Sequence, residues 1–503
     1  MSTDVVVIGG GHNGLTAATY LARSGAGVLL IEQQSQLGGL CAPREFSAGF
    51  TVPGLLHDTA CFRDWIVKDL GLSEFGLERQ KPSVIAVPDS GESILLLDPS
   101  DPAQAVPDLA DWRKEIAAVR TVIRDLVDQP PLSLEPSGVG SYLELLRQGF
   151  GIFRLGDRDF HTLARILPTS LEDWLLRHTS DGPVAEALAA DALFGSFTGP
   201  KAAGTAANLL IRECCAGEPI SGGPAGLIAA LETAAKAAGV QIRTGMAVQQ
   251  IEVSGGRVTG VRLEDGELLE SRAVLATCDP KTTFMRLVDP AQNTLSFETR
   301  VNNIRSRGTA GKIHLAVKGA FNPNGSPEPL EHIRYAGGGF NAIERAFDAL
   351  KYNQISESPY LDIWIPSASN PSLAPEGHHV VSILAYGAPF ELTGGWDDSA
   401  RERLTEIVLS KLNEIAPAIQ DQVVAMETLG PADIAAAYGV TGGQLGHVEY
   451  ALDQFHVMRP APECARYATP IAGLFVGGSG SHPSGGVTGV PGALSAKQLE
   501  QAL

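Results

Sequence analysis

The stretch Val5-Val6-Val7-Ile8-Gly9-Gly10-Gly11-His12-Asn13-Gly14 constrains the fold more than any other part of the chain. A β-branched run, a glycine turn, an alanine-rich helix through Leu21 and a second apolar run ending at Glu32 read as a dinucleotide-binding βαβ unit. Gly9 permits the tight turn out of the first strand, Gly11 lets the backbone approach a pyrophosphate, and Gly14 lets the helix close on the sheet. Amides at the helix start, with the helix dipole behind them, stabilise an anion by roughly 0.3–2 kcal/mol. Glu32 is placed to accept both hydroxyls of a ribose and would repel a 2′-phosphate.

A length of 503 residues implies two to four units at roughly 100–200 residues each. The formal charge of −19 argues against a nucleic-acid partner, because phosphate binding rests on Lys and Arg. Met1-Ser2-Thr3-Asp4 leaves no room for a signal peptide before the first strand, and no apolar run reaches the roughly 18 residues of a membrane span. A cytoplasmic location is expected, with peripheral membrane association as its alternative. Cys41, Cys61, Cys214, Cys215, Cys278 and Cys464 form no CxxC and no metal-ligand spacing, so neither a metal site nor disulphide reduction is expected. Vicinal Cys214-Cys215 lies in an apolar, helix-like stretch and reads as buried thiol.

After Glu32, the pair Gly38-Gly39 suits a cofactor that continues past its pyrophosphate, which points to FAD. Phe50-Thr51-Val52 predicts a short strand, with a helix near 65–70, and between them His57 and Asp58 form the first titratable pair placed to approach a flavin; packing of the turn by His57 is the competing reading. Helical periodicity spans 112–126, 141–148, 171–178, 184–193 and 202–215, an insertion suited to enclosing a substrate, and the apolar run 150–153 suits core, substrate or a membrane surface. From Gly222-Gly223 a helix, a strand at 239–243, a β-meander over 248–263 and a buried strand at 272–276 return the chain to the first unit, with Val248 where backbone meets an adenine. Runs at 312–317, 361–365 and 380–385 predict a second, antiparallel sheet, and 399–416 a helix capped by a serine. The strand at 473–476 opens into a glycine-rich turn through Gly478, Ser479, Gly489 and Val490 and then a terminal helix, a second anion or carbonyl site.

With Gly9 to Leu15, Gly222-Gly223, Ala276-Thr277-Cys278-Asp279-Pro280 and Gly478 to Val487 in place, the chain resembles the phytoene desaturase-like branch of the FAD-dependent oxidoreductases, similar in architecture to the flavin amine oxidases. The resemblance runs from end to end. It implies FAD lying extended, with its pyrophosphate at Gly9, Gly11, His12, Asn13 and Gly14, its adenosine ribose on Glu32, its adenine near Val248 and its flavin by the terminal glycine loop. Two positions depart from the family pattern: Leu40-Cys41 replaces a basic residue after the second glycine pair, and Asn370-Pro371 stands where Asp-Pro is expected. The expected fold is α/β, a Rossmann-like FAD-binding domain (1–75, 216–290 and 466–503) interleaved with an α+β substrate domain (291–465) carrying a mixed or antiparallel sheet and a helical insertion (76–215).

Three functions fit. The first is a desaturase that passes hydride from an apolar small molecule to flavin N5, which calls for a long apolar tunnel between the sheets. The second is an amine oxidase, which calls for a short pocket with aromatic walls, or a redox-neutral flavin isomerase. The third is a non-catalytic flavoprotein that binds partners. Candidate bases are His57 and Asp58, while His482, before Pro483, reads as support for its loop.

Overall fold

The computed structural model describes residues 3–88, 94–133, 155–319, 321–323, 330–417 and 419–503. The chain opens with β1 (Val5–Ile8), α1 (His12–Arg23) and β2 (Val28–Ile31), followed by a hairpin of β3 (Arg44–Ser47) and β4 (Phe50–Val52) and then β5 (Ile85–Pro88) and β6 (Ile94–Leu97). Helices Leu109–Val127, Gly156–Ile166, Leu171–Leu175, Pro183–Leu193, Thr205–Cys215 and Gly223–Ala237 lead to β7 (Gln241–Arg243), β8 (Val248–Ser254), β9 (Arg257–Leu263), β10 (Leu268–Glu270) and β11 (Ala273–Ala276). Next come β12 (Ala310–Lys318), β13 (His332–Tyr335), β14 (Tyr360–Trp364), β15 (His378–Tyr386), β16 (Val423–Leu429) and β17 (Leu474–Val476), then the terminal helix Val490–Glu500. The helix expected at 141–148 and the apolar run 150–153 lie outside the described residues.

Five strands form a parallel sheet in the order β17-β11-β1-β2-β7, with Val5 opposite both Val28 and Ala273. Its central strands are apolar without interruption because both faces are covered. Val5 and Val7 face the core shared with α1, Gly223–Ala237 and Val490–Glu500, while Val6 and Ile8 face Ile251, Val258 and Val261 of the β8–β10 meander. The meander is thus a separate three-stranded antiparallel sheet laid over the first, while β7 and β11 complete the parallel sheet.

The second sheet has seven strands, β16-β12-β15-β14-β13-β5-β6, antiparallel except between β13 and β5. Alternation divides its faces. Ile313, Leu315, Ile333, Ile363 and Ile383 pack under helix Asp398–Asn413, through Leu404, Val408 and Leu412. That helix is capped by Asp397, whose side chain accepts from Ala400 N–H at 2.9 Å, in place of the expected serine. A carboxylate caps as well as a hydroxyl and also favours the positive end of the helix dipole.

The opposite face is polar in two ranks. Lys312 lies opposite Leu384, Leu384 opposite Asp362 and Asp362 opposite Arg334; one pleat along, His314, Ser382, Trp364 and His332 follow in the same order. Helix Pro183–Leu193 docks against this sheet: the Glu186 carboxylate accepts from the amides of Ala336, Gly337, Gly338 and Gly339 at 2.7, 3.3, 2.8 and 2.7 Å. Further along the helix, Asp191 takes both Nη atoms of Arg334 at 2.9 and 2.8 Å. Cys214 and Cys215 are free and buried inside the helical insertion, and burial pushes the Cys214 thiol up to about 12, as suits inert packing groups.

Candidate active site

The first glycine segment has the geometry that a pyrophosphate needs. A methyl group on Gly14 would stand 1.9 Å from the carbonyl oxygen of Gly9, so helix and strand touch backbone to backbone there. One on Gly11 would meet nothing nearer than Gly38 O, at 3.8 Å, so its face is open. Gly38 N–H donates to Gly10 O at 2.9 Å, and Gly39 lies beside the Gly11 Cα, which draws the second glycine pair against the first. Glu32 is buried at 6% exposure; one carboxylate oxygen accepts from Gly10 N–H at 2.6 Å and the other from Gln34 N–H at 2.8 Å. Each oxygen keeps a second lone pair for a ribose hydroxyl. Met246 N–H donates to Glu32 O at 3.1 Å, so the turn into Val248 is hooked to the end of β2.

The terminal segment closes on the same place. Asn13 Nδ2 donates to Ser479 Oγ at 3.2 Å across 466 residues of sequence, and a methyl group on Gly492 would stand 2.2 Å from Asn13 O. Gly478 passes against Thr277, whose Oγ1 donates to Ile8 O at 2.8 Å, so β1, β11 and the terminal loop meet at one edge. Gly489 faces Phe62 and Ile66 of the helix Asp64–Asp69, and Val490 beside it is wholly buried. His12 Nε2 and Asn13 Oδ1 are buried in this region without a hydrogen-bond partner, as expected of groups that await a polar ligand. The open Gly11 face and these two atoms fit an extended dinucleotide. Burial pushes His12 down to about 3.

Arg459 organises the loop from beneath, and the sequence reading missed it. It is fully buried, and its guanidinium donates to the carbonyls of Gly446, Val448, Glu449, Gln454, Ser479 and Ser481 at 3.1 to 3.4 Å. His482 lies in the same loop, its Nε2 3.2 Å from Gln129 O, and it lines no part of the cleft described next.

A cleft open to solvent is lined among others by His57, Trp364, His332, Glu331, Ser83 and Asn370. His332 and Trp364 stack with centroids 6.2 Å apart, and His57 leans on the same indole at 5.5 Å. Glu331 accepts from Trp364 Nε1 at 3.3 Å, from Ser369 Oγ at 2.9 Å and from Ser83 Oγ. Asn370 turns its side chain to Ser372 and so caps the bend at the cleft's rim.

His57 and Asp58, the two candidate bases, are turned to different partners. Asp58 Oδ1 accepts from Ala60 N–H at 2.7 Å, closing a local turn, and Oδ2 pairs with Arg212 at 3.2 Å. The carboxylate beside His57 belongs to Asp362, with Oδ2 at 3.5 Å from Nδ1, while His57 Nε2 contacts Lys312 Nζ and lies 3.4 Å from Ser382 Oγ. Burial holds Lys312 well below the usual lysine range and, with the nearby lysine, brings His57 to about 4. Asp362 stays far down despite its burial, because His57 and Arg334 face it. The signal for Lys312 and His314 lies in β12: both are basic and fall on one face of a strand that is otherwise apolar up to Lys318 at its end.

The family model described as flavin containing amine oxidoreductase matches residues 14–496. Pyridine nucleotide-disulfide oxidoreductase domain-containing protein 2 of Rattus norvegicus is 30% identical, over 98% of this chain and 92% of its own. The zeta-carotene-forming phytoene desaturase of Myxococcus xanthus is 25% identical, over 98% and 92%. The solved cyclohexylamine oxidase of Brevibacterium oxydans shares the fold, with a TM-score of 0.60 at 14% identity over 100% of this chain and 99% of that one. The chain belongs to the flavin containing amine oxidoreductases and is an FAD-dependent oxidoreductase.

Proposed function

We propose that this chain oxidises the C–N bond of a small amine. FAD, when bound, supplies the two-electron acceptor that takes hydride at its N5. In this reading Gly9, Gly11, Gly14, Gly38 and Gly39 cradle the pyrophosphate, Glu32 takes the ribose and the Val248 backbone meets the adenine. His12, Asn13, Gly478 and Ser479 close the cradle, and Gly489 and Val490 fix the start of the terminal helix beside it.

The observation that carries the substrate class is the cleft at His57. It has an indole wall, a carboxylate in Glu331 and polar side chains at its rim, where a polyene needs a long apolar tunnel. The indole face and the carboxylate both favour a cation, and the chain's net charge of −19 draws cations towards it. The test is aerobic turnover of the FAD-loaded protein with primary and secondary amines. Stoichiometric hydrogen peroxide and carbonyl product support the reading, and their absence across the panel refutes it.

Desaturation of an apolar or conjugated molecule is the second reading, favoured by the likeness to a phytoene desaturase over nearly the whole chain. Flavin reduction by terpenes or polyenes, with no response to amines, selects it.

A further inference from the structure

The cradle that fits a dinucleotide holds no strong base. Neither Gly9 to Gly14 nor Gly38 to Cys41 contains a lysine or an arginine, and the Glu32 carboxylate on Gly10 N–H adds a negative charge beside them. A pyrophosphate seated there needs its charge met from elsewhere. Arg459 has the required sign and is completely buried. Buried Arg63, Arg334 and Lys411 each meet a carboxylate, on Asp128, Asp191 and Glu414. Arg459 meets none among the described residues; carbonyl oxygens hold its guanidinium, with the Tyr450 ring 5.2 Å away. A buried guanidinium without a counter-ion is costly, and an anion bound nearby offsets that cost.

Two observations tie this charge to the cradle. Ser479, whose carbonyl accepts from Arg459 Nη2 at 3.1 Å, takes Asn13 Nδ2 on its Oγ at 3.2 Å. The amides of Gly478, Ser479 and Gly480 are buried and donate to no acceptor among the described residues. A trans peptide sets its N–H opposite its C=O, so the Ser479 carbonyl that faces Arg459 turns the Gly480 N–H away from it. Three consecutive buried donors without a partner mark the seat of a ligand acceptor.

We propose that Arg459 is the counter-charge for the FAD pyrophosphate, acting through one layer of terminal-loop backbone. The amides of Gly478 to Gly480 face the ligand, and the guanidinium behind them supplies the charge, in surroundings where salt screens little. The inference concerns cofactor binding and stands whichever substrate the protein oxidises. Other charged groups in this region are already engaged. Asp279 accepts from the Thr282 amide and hydroxyl and from the Thr441 amide, Glu449 pairs with Arg305 and Arg307, and Lys281 faces Asp279 and Glu449. Burial holds His447 and His482 below the usual histidine range.

The test follows FAD release from the FAD-loaded wild type, Arg459→Lys and Arg459→Met by flavin fluorescence, from about pH 6 to about pH 9. Lysine keeps the charge but cannot reach the six carbonyls; methionine keeps neither. At about pH 6, Arg459→Lys should hold FAD within about 10-fold of the wild type, and Arg459→Met should be weaker by about 10²-fold. ADP, which has the diphosphate and no flavin, should lose its power to displace FAD in parallel. Equal weakening by both variants makes Arg459 a brace for the loop and overturns the proposal, as does an ADP affinity that Arg459→Met leaves unchanged. If Arg459→Met does not fold, Arg459→Lys decides by itself: FAD held at about pH 6 and lost as the buried lysine gives up its proton supports the counter-charge, since the wild-type guanidinium stays charged. A loss as large at about pH 6 as at about pH 9 refutes it.

Discussion

Replacing Glu186 with glutamine leaves its shape intact and removes its charge, in a side chain only 3% exposed. Its two oxygens accept from four consecutive amides, Ala336 and Gly337 on one, Gly338 and Gly339 on the other. In Glu186→Gln one oxygen becomes an NH₂, so two buried amides face a donor. Each unsatisfied group costs about 1–3 kcal/mol. The amide is cheaper to bury than the carboxylate and recovers part of this, leaving a net loss of about 3 kcal/mol. The local readout is hydrogen exchange at Ala336, Gly338 and Gly339, which should accelerate by about 10²-fold. Denaturant unfolding of the FAD-loaded protein should lose a similar free energy. A change below about 1 kcal/mol, with exchange unaltered, refutes the claim that this carboxylate pins the helical insertion to the second sheet.

Gly14→Ala places a methyl group 1.9 Å from Gly9 O, so the variant should purify without FAD or with affinity reduced more than 10-fold, as read by flavin absorbance after reconstitution. His12 and His482 are each held near 3 by burial, against about 6.5 in the unfolded chain, so both contribute stability that is full above pH 6.5 and falls as pH drops towards 3. His482→Asn should therefore lower the proton uptake on acid unfolding by about one, measured from the pH dependence of the unfolding free energy. Cys214, pushed up to about 12, should resist alkylation at pH 8 until the protein is denatured, as mass spectrometry of the labelled peptide would show.

The parallel sheet was legible because β1, β2, β11 and β17 are short apolar runs and each glycine of the cradle has a separate steric task. Gly14 against Gly9, and Gly38 against Gly10, are consequences of spacing within about thirty residues, so a local reading reached them. The polar face of the second sheet was not local. Lys312, Asp362 and Arg334 come from three strands separated by long connections, and their alignment follows from sheet register. His57 and Asp58 are adjacent in sequence, but the Ala60 amide and Arg212 hold Asp58 while His57 meets groups from distant strands. Arg459 left no pattern at all, since a lone arginine in an irregular loop shows its role only once six carbonyls converge on it. The polar cleft was hidden for the same reason: Ser83, Glu331, Trp364 and Asn370 meet only after β5, β13 and β14 pair.

The most direct measurement is anaerobic mixing of the oxidised, FAD-loaded protein with matched pairs of molecules, each amine beside the hydrocarbon of the same skeleton, while flavin absorbance is followed. Oxidation of a C–N bond predicts that the amine bleaches the flavin with saturating kinetics and that the hydrocarbon leaves it unchanged. Bleaching by terpenes or polyenes, with the amines inert, would contradict it.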